Sequence, residues 1–535
     1  MLSYRKLAMR VLGRPLHTEG IDSPRPASQR AAAFILTAAM LTTLAAPAFA
    51  DIWHIENGDI TISAGESGNN VTQNNNTTYG DTNTIITNQN KDTASSHTVT
   101  IEAKDKDDKV EVTLKDVNID TSSRNKAAVS VTGEGDTNIK LDGDNALKSD
   151  IYRSGIYGSG SLTISGGEND SLTAQGGSGA NGISSSGSLT ISGGTGTANG
   201  DDGGRGISSS GSVTISGGST VTANGGSGTI SGGDGIWSGG GVTISGGSTV
   251  TANGGNGGSL VGGDGIRSGG GLTVSDGTVT AKGGNGDSKD GYGGDGIRSG
   301  GVVTISGNTV NAAGGYGGKV GGYGICSFDR VAISGGTVEA AGGNGSTGGG
   351  SGIYSSVIDL SGSLELTAKA GSPNGKALSQ KGSELVLDTI KDKLGPGAKV
   401  TATDADGKVI DQVSTPRPVE PEESSSSSDG GSAAPSAPAS PLPGLTVTDK
   451  DGQRISYTST QSGNTLTVCV GRLTASFRIS LAALRQLRAE GIETITFQTI
   501  LCSTTLSVDE LLAMGGEDAE AVLTHRFTDS SLTVG

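Results

Sequence analysis

The chain has 535 residues, of which 94 are glycine and only 3% are aromatic, and its formal net charge is −16 at pH 7. A surface this acidic repels nucleic acids and anionic lipids, so the charge argues against both as partners. Large side chains are too few to fill an ordinary globular core, and a repetitive packing arrangement is predicted instead. Three cysteines are also too few for a scaffold that depends on disulfides.

Residues 1–50 have the pattern of a secretory signal peptide: a basic start, an apolar run over 31–46 and the small-residue pattern Pro47-Ala48-Phe49-Ala50. Cleavage is predicted after Ala50. A membrane anchor is the alternative, but an apolar run of about 16 residues is shorter than the about 20 that a spanning helix needs. No second run of that length follows, so we expect a secreted mature chain without a transmembrane segment.

A Gly-Ile dipeptide recurs every 24 to 31 residues and marks one structural unit that is repeated eight times. Each unit continues with two short segments in which apolar and hydroxyl residues alternate, as in Val242-Thr243-Ile244-Ser245 and Thr249-Val250-Thr251-Ala252. This period of two predicts strands that are buried on one face. The dipeptides begin at Gly155, Gly182, Gly206, Gly235, Gly265, Gly296, Gly324 and Gly352.

Three strands per unit predict an all-β fold, a parallel β-helix over 155–371 in which Ile236, Ile266 and Ile297 lie over one another inside the coil. The unit is longer than the roughly 18 residues of a left-handed hexapeptide coil, which favours a right-handed solenoid. Unit length varies only in the turn after the third strand, from 176–181 in one unit to 283–295 in another. Insertions should therefore stack along one edge, where binding loops commonly lie.

Residues 51–154 keep the short alternating strands but lose the regular spacing. They predict irregular first coils and an N-terminal cap, with the Asn-rich segment 69–90 as a surface loop. Several motifs follow in order: Asp107-Asp108-Lys109-Val110, 114–119, 127–131, 141–147 and Gly155-Ile156-Tyr157. Over roughly 101–371 they resemble a family of secreted bacterial proteins described as carbohydrate-binding-domain proteins. The resemblance implies the β-helix and a carbohydrate ligand, and it assigns no binding residues.

The C-terminal third changes in composition. Residues 372–414 are predicted to cap the coil, with a short helix near 385–394. Residues 415–444 contain seven of the 13 prolines and a serine run, which predicts an extended linker. Residues 445–535 have globular patterning and predict a small α+β domain in which Ser480 caps a helix. Cys469 and Cys502 are candidates for a disulfide within it.

The residue after each repeat isoleucine should point outward, and this outward row carries aromatic rings and guanidinium groups that suit a sugar chain. The candidate carbohydrate-binding residues are Tyr157, Trp237, Arg267, Arg298 and Tyr354. Serines occupy the same position in two other units, at Ser184 and Ser208. They support the alternative that an exposed strand position accepts any residue.

Three successive units have an aspartate before Gly-Ile, at Asp234, Asp264 and Asp295. With Arg267 and Arg298 they form a candidate acid pair and basic partner of a polysaccharide-cleaving enzyme. Calcium ligation is a second interpretation of the same carboxylates. The third is structural, because aspartate before glycine is a common turn former. A groove in which Asp234, Asp264 and an arginine converge would favour the enzyme.

The histidines after the signal peptide lie in unrelated segments, so neither a histidine-dependent triad nor a histidine metal site is predicted. We therefore expect a secreted, cell-surface-associated β-helix without enzymatic activity that binds extracellular carbohydrate or displays its loops to a surface protein, as an adhesin does. The small domain would attach it to the envelope. A β-helix polysaccharide lyase or glycoside hydrolase is the alternative.

Overall fold

The computed structural model describes residues 51–416, 444–448, 454–455, 457–462, 464–470, 475–499, 503–514, 519–525 and 530–534. The chain divides into two compact units, Met1–Glu420 and Pro421–Gly535, and each has its own buried apolar core. The boundary falls inside the predicted linker. The predicted signal peptide and residues 417–443 of the linker lie outside the described residues.

The first unit is a parallel β-solenoid of about 13 turns, which confirms the predicted fold class. Its first strands are Ile60–Gly65, Val99–Glu102, Val129–Thr132, Ile156–Gly158, Ile183–Ser185, Ile207–Ser209, Ile236–Ser238, Ile266–Ser268, Ile297–Ser299 and Leu378–Gln380. Its second strands are Ile52–His54, Thr84–Thr87, Lys109–Lys115, Asp136–Asp142, Ser161–Ser165, Leu189–Ser192, Val213–Ser216, Val242–Ile244, Leu272–Val274 and Val303–Ile305. In two turns, Ile325–Ile333 and Ile353–Leu360, one long strand occupies both positions.

The third strands form a separate sheet on another side of the coil. They are Asn118–Asp120, Asp144–Lys148, Ser171–Ser178, Thr195–Asp201, Thr220–Asn224, Ser248–Asn253, Gly277–Lys282, Thr309–Ala313, Gly336–Ala341, Leu364–Lys369 and Lys399–Thr403. The last of these pairs antiparallel with Val409–Ser414, and this reversal ends the parallel stack.

Successive turns stack in register. Ile236, Ile266 and Ile297 are direct neighbours and are fully buried, as the repeat predicts. On the third strands Val250 lies next to Val279 in the same way. Full burial of one such side chain contributes roughly 1.5–3 kcal/mol. A single turn buries too few of them to offset the entropy of ordering its loops, so stability comes from the stack.

The serine of Gly-Ile-x-Ser faces inward. Ser268 Oγ lies 3.0 Å from the carbonyl oxygens of both Gly240 and Gly271, one in the preceding turn and one in its own. Ser238 and Ser299 make the equivalent contacts in neighbouring turns. A buried hydroxyl group needs a hydrogen-bond acceptor, and the carbonyl oxygens at the corner between the first and second strands supply it.

The glycine of Gly-Ile has no space for a side chain. A Cβ atom added to Gly265 would lie 2.5 Å from the carbonyl oxygen of Gly296 and 2.6 Å from the amide nitrogen of Lys282. At Gly235 the corresponding oxygen, on Gly265, would be 2.6 Å away. Close approach of two backbones therefore explains why glycine recurs before the inward isoleucine.

The N-terminal cap differs from the sequence prediction at 69–90, which is not a surface loop. Gly68–Gln73 and Asn76–Asp81 form an antiparallel hairpin, and the first of these strands also pairs antiparallel with Ile60–Gly65. The hairpin turn places Asn74 and Asn75 at φ values of 52° and 64°, a region that asparagine tolerates. The asparagines that suggested a loop thus include the turn that makes the hairpin.

Within 372–414, where a C-terminal cap is predicted, Leu378–Gln380 and Lys399–Thr403 continue the parallel stack. Leu387–Lys393 is a 3₁₀-helix, and Leu387 and Ile390 point into the core. Ser383–Glu384 pairs antiparallel with the final first strand. At the opposite end of the solenoid, Ile55–Asn57 forms a second short 3₁₀-helix with Ile55 buried.

The described residues of the second unit form two four-stranded sheets and two helices. One sheet contains Leu445–Thr448, Ala475–Ser480, Glu520–His525 and Ser530–Val534, and the other contains Thr458–Ser462, Thr465–Cys469, Thr494–Gln498 and Ser503–Ser507. The helices are Leu481–Ala489 and Val508–Met514. Ser480 Oγ accepts a hydrogen bond from the Ala483 amide at 3.2 Å, as predicted for the cap. No helix in the described part of the chain combines the length and hydropathy of a bilayer-crossing segment.

The disulfide predicted between Cys469 and Cys502 stays a prediction, because Cys502 lies outside the described residues. Cys469 Sγ lies 3.5 Å from Oε1 of Gln498.

Gly265→Ala should destabilise the solenoid by about 2 kcal/mol, because the added methyl group forces two stacked backbones apart. Gly196→Ala is the matched control, since nothing lies within 4 Å of its added Cβ, and its effect should stay within about 0.5 kcal/mol or be slightly stabilising. Denaturant unfolding of the full chain, followed by circular dichroism, measures both. Equal effects of the two variants would contradict the close-approach explanation.

Candidate functional site

The turns that follow the third strands stack along one edge of the solenoid, as their variable length predicts. One series of backbone bridges runs through Gly228, Gly257, Gly286, Gly317 and Gly345. A second series runs through Ser231, Val261, Tyr292, Val320 and Gly348. Because two positions of each turn stay bridged to the next turn, the intervening insertions remain on a rigid base.

A groove of about 710 Å³ runs beside these stacked turns. Three rows of side chains line it. The turn row is Val261, Tyr292 and Val320; the floor row is Asn181, Arg205, Asp234, Asp264, Asp295 and Tyr323; the outward strand row contributes Arg267 and Arg298. Each row has one member per turn, so the groove runs along the solenoid axis. Below we call it the loop-edge groove.

The three aspartates of the floor row form a hydrogen-bonded ladder. Oδ1 of Asp234 accepts from the Asp264 amide at 2.9 Å, and Oδ1 of Asp264 accepts from the Asp295 amide at 2.7 Å. Oδ1 of Asp295 continues the ladder to the Tyr323 amide at 2.7 Å. Asn181 does the same for the Arg205 amide at 2.8 Å. The residue before Gly-Ile therefore connects its turn to the next through its side-chain oxygen.

The second carboxylate oxygen of each aspartate faces an arginine. Nε of Arg205 lies 3.2 Å from Asp234, and Nη1 of Arg298 lies 3.3 Å from Asp295. The contact of Arg267 is longer, since its Nη1 lies 4.0 Å from Oδ2 of Asp264, and half of its side chain is exposed. Its guanidinium group is thus the most accessible of the three to a ligand in the groove.

Burial changes the acidity of the ladder. Removal from water raises the pKa of Asp264 well above its usual range, and the neighbouring carboxylates of Asp295 and Asp234 raise it further. Burial likewise raises the pKa of Asp295, to about 6, although the Tyr323 amide and Arg298 favour its charged form. The floor of the groove can therefore hold a proton at a pH where an exposed aspartate cannot.

Aromatic rings hold the basic side chains in place. The Arg205 guanidinium lies 4.3 Å from the ring centre of Trp237, and that of Arg298 lies 5.2 Å from the ring of Phe328. Lys319 Nζ lies 5.6 Å from the ring of Tyr292. These cation–π contacts reduce the freedom of long side chains, so the donors are already positioned before a ligand arrives.

The structure places the five predicted carbohydrate-binding residues in one in-register outward row. Arg267 and Arg298 line the loop-edge groove. Trp237 and Tyr354 do not line it, but each contacts a lining residue: Trp237 contacts Arg205, and Tyr354 stacks on Tyr323 with ring centres 4.9 Å apart.

Tyr157 lies farther along the same row and lines a second groove of about 670 Å³. Its other lining residues include Thr98, Thr100, Lys126, Ser130, Tyr152, Arg153 and Ser184. Below we call it the N-terminal groove. The candidate site predicted from the sequence is therefore divided between two grooves.

Sequence reasoning missed Arg205, Tyr292 and Tyr323. Arg205 and Tyr323 occupy the position before Gly-Ile in units that have no aspartate there. Tyr292 lies in a variable turn whose bridge to Val261 cannot be aligned by counting residues, since the turns differ in length. The alignment of all residues that precede Gly-Ile would have revealed the first two.

The structure does not support the calcium site predicted on Asp234, Asp264 and Asp295. Within the described residues, no group of three or more His, Cys, Asp or Glu is arranged to hold a metal ion. In-register stacking separates equivalent side chains by one strand spacing, about 4.8 Å, so three of them extend in a line and do not surround an ion.

Cys326 occupies the outward row between Arg298 and Tyr354. Its thiol is free and buried, and burial raises the pKa of that thiol to about 12. A thiol that stays protonated is a poor nucleophile and a poor metal ligand. Cys326 therefore fills space in the row and adds no reactive group to the groove.

The chain matches no protein-family model. No curated protein and no solved structure matches it either. The resemblance to secreted carbohydrate-binding-domain proteins therefore stays a prediction from the motifs over 101–371.

The pH dependence of the free energy of unfolding should report the protonation of the buried aspartates. The pKa of an unfolded aspartate is near 4, roughly 2 units below that of Asp295 in the folded chain. This difference corresponds to a contribution of at most about 3 kcal/mol to the free energy of unfolding. Because the folded pKa is the higher one, this contribution is present below pH 4 and is lost as the pH rises through about 6. We expect Asp295→Asn, which keeps the backbone acceptor as Asn181 does, to reduce the loss of stability between pH 5 and pH 8.

Denaturant unfolding of the full chain at pH 5, 6.5 and 8 measures this effect. Asp276→Asn, at an exposed aspartate outside the groove, is the control and should retain the wild-type dependence. An unchanged dependence in Asp295→Asn would show that Asp295 takes up no proton in this range.

Proposed function

We propose that the chain is a secreted, non-enzymatic β-solenoid that binds an extracellular polysaccharide in the loop-edge groove. The observation that carries the proposal is that guanidinium groups and aromatic rings from stacked turns line one open groove: Arg205, Arg267, Arg298, Tyr292 and Tyr323. Sugar hydroxyl groups accept hydrogen bonds from guanidinium groups, and sugar ring faces pack on aromatic rings. The solenoid supplies the rigid base that a positioned binding site needs.

Two features of the sequence support an extracellular setting. The first 50 residues have the signal-peptide pattern, and the net charge of −16 keeps a surface protein soluble and away from anionic lipid. We place the solenoid at the cell surface, attached through its C-terminal unit. Display of the stacked turns to a surface protein, in the manner of an adhesin, is compatible with the same arrangement.

Glycan binding is tested on an array of linear polysaccharides with the mature chain. Arg267→Ala removes the most accessible donor, and Trp237→Ala removes the ring that positions Arg205. A hydrogen bond to a charged group contributes about 1.5–3 kcal/mol, so each variant should weaken binding at least about tenfold, as isothermal titration calorimetry would measure.

Thr243→Ala is the matched control because this side chain is exposed on a second strand, away from the groove lining. Its affinity should equal that of the wild type. Absence of binding by the wild-type chain across the whole array would contradict the carbohydrate proposal and leave the protein-partner interpretation.

Hydrolysis or elimination of the bound polysaccharide is a second candidate function, and one observation favours it. Asp264 and Asp295 lie on adjacent turns of the same groove, with raised pKa values and arginines beside them. A carboxylic acid that keeps its proton near neutral pH can serve as a general acid beside a second carboxylate. Against this, one oxygen of each already accepts a backbone hydrogen bond and both residues are nearly inaccessible.

Enzymatic activity predicts new reducing ends, or unsaturated products that absorb in the ultraviolet, when the chain is incubated with the polysaccharide it binds at pH 5 to 7. Asp264→Asn and Asp295→Asn should then each lower the rate at least about 100-fold while binding persists. Binding without any product after prolonged incubation would exclude cleavage of that polysaccharide and favour the non-enzymatic proposal.

A further inference from the structure

The two grooves lie on one edge of the solenoid and use the same outward row. Thr100, Ser130, Tyr157 and Ser184 of the N-terminal groove pair in register, and the row continues without a break through Ser208, Trp237, Arg267 and Arg298. The N-terminal groove ends at Ser184, and the lining of the loop-edge groove begins at Gly179 and Asn181. The grooves therefore meet end to end.

We infer that both grooves bind a single linear, uncharged polysaccharide that lies parallel to the solenoid axis, with one sugar residue on each turn. The inference rests on the proposed function and adds the class, length and direction of the ligand. Equivalent side chains repeat at about 4.8 Å along the solenoid axis. This spacing is close to the length of one sugar ring in an extended polysaccharide chain. The nine turns from Thr98 to Tyr323 span on the order of 40 Å.

Ser184 and Ser208 of the outward row lie between Tyr157 at one end and Trp237 at the other. Ser208 is buried, and the Arg205 side chain lies against it, with Nη1 3.5 Å from Ser208 Oγ. Arg205, whose side chain is 36% exposed, therefore provides the polar group of the path at this turn. A large side chain at Ser184 would separate the grooves.

The charges of the path favour an uncharged ligand. Arg205, Arg267 and Arg298 each face a carboxylate of the floor row. In the N-terminal groove Lys126 Nζ is paired with Asp59 at 3.0 Å, whereas Nε of Arg153 donates to the amide oxygen of Asn125 at 3.2 Å. The basic groups of the loop-edge groove can thus donate hydrogen bonds without the excess positive charge that an acidic polymer needs, and the acidic chain as a whole opposes such a polymer.

The contacts along the path are spread over several turns. Tyr157 provides a ring in the N-terminal groove, and Arg267 and Arg298 provide planar donors on adjacent turns of the loop-edge groove. No single turn encloses a ligand, because the grooves are open along their length. Affinity must therefore accumulate over several turns, which a short oligosaccharide cannot reach.

The experiment measures the affinity of the mature chain for cello-, manno-, xylo- and malto-oligosaccharides of two to ten residues, with alginate oligomers as the charged comparison. In the series that binds, affinity should rise at least about tenfold between four and eight residues. Tyr157→Ala should weaken the ten-residue ligand by about fivefold or more and leave the four-residue ligand unchanged, whereas Arg267→Ala should weaken both. Tyr79→Ala, at an exposed ring on the N-terminal hairpin, is the control.

A plateau of affinity at three or four residues, or a ten-residue affinity that does not change in Tyr157→Ala, would overturn the axial path while glycan binding itself stands. Tighter binding of alginate that weakens with added salt would overturn the uncharged ligand. Absence of binding in every series would overturn the proposed function together with this inference. Circular dichroism of each variant establishes that the solenoid is folded.

Discussion

Every part of the first unit depends on one constraint: the backbone of each turn lies in register on the backbone of the turn before. Register brings Ile236, Ile266 and Ile297 into one buried column, and it also brings backbones so close that Gly265 has no space for a Cβ atom. The inward serine belongs to the same constraint, because its buried hydroxyl group needs an acceptor and the stacked turns place corner carbonyl oxygens beside it. Isoleucine, glycine and serine thus recur in one motif for three separate physical reasons.

In-register stacking also creates the candidate site, together with an unfavourable repulsion between its carboxylates. A residue type that recurs at one position becomes a row, and Asp234, Asp264 and Asp295 become three buried like charges at one strand spacing. Like charges in a poorly solvated row repel, and the structure reduces this cost with a backbone amide at one oxygen and an arginine at the other. Buried carboxyl groups with shifted pKa values occur at functional sites and also in structural ion-pair networks, so glycan-binding measurements are needed to distinguish the two roles.

The sequence was sufficient to predict the features that follow from the period of the repeat. The aliphatic columns, the stacked turns and the outward row from Tyr157 to Tyr354 follow from aligning the repeats, and the structure confirms their register. The sequence was insufficient to predict contacts between side chains of neighbouring turns. The contact of Arg205 with Trp237 joins residues 32 positions apart on neighbouring turns, and the hairpin over 68–81 interrupts the period entirely. Division of the row into two grooves also depends on the path of the variable turns, which period does not describe.

The independence of the turns has a consequence for how such a surface changes. Each turn contacts only its two neighbours, and its groove contribution is carried by side chains at fixed positions within the unit. Duplication or loss of one complete unit, such as 265–295, would leave the remaining contacts intact and change the length of the groove by one strand spacing. The reach of this surface can therefore be lengthened or shortened in whole steps by recombination between repeats, without redesign of the individual sites.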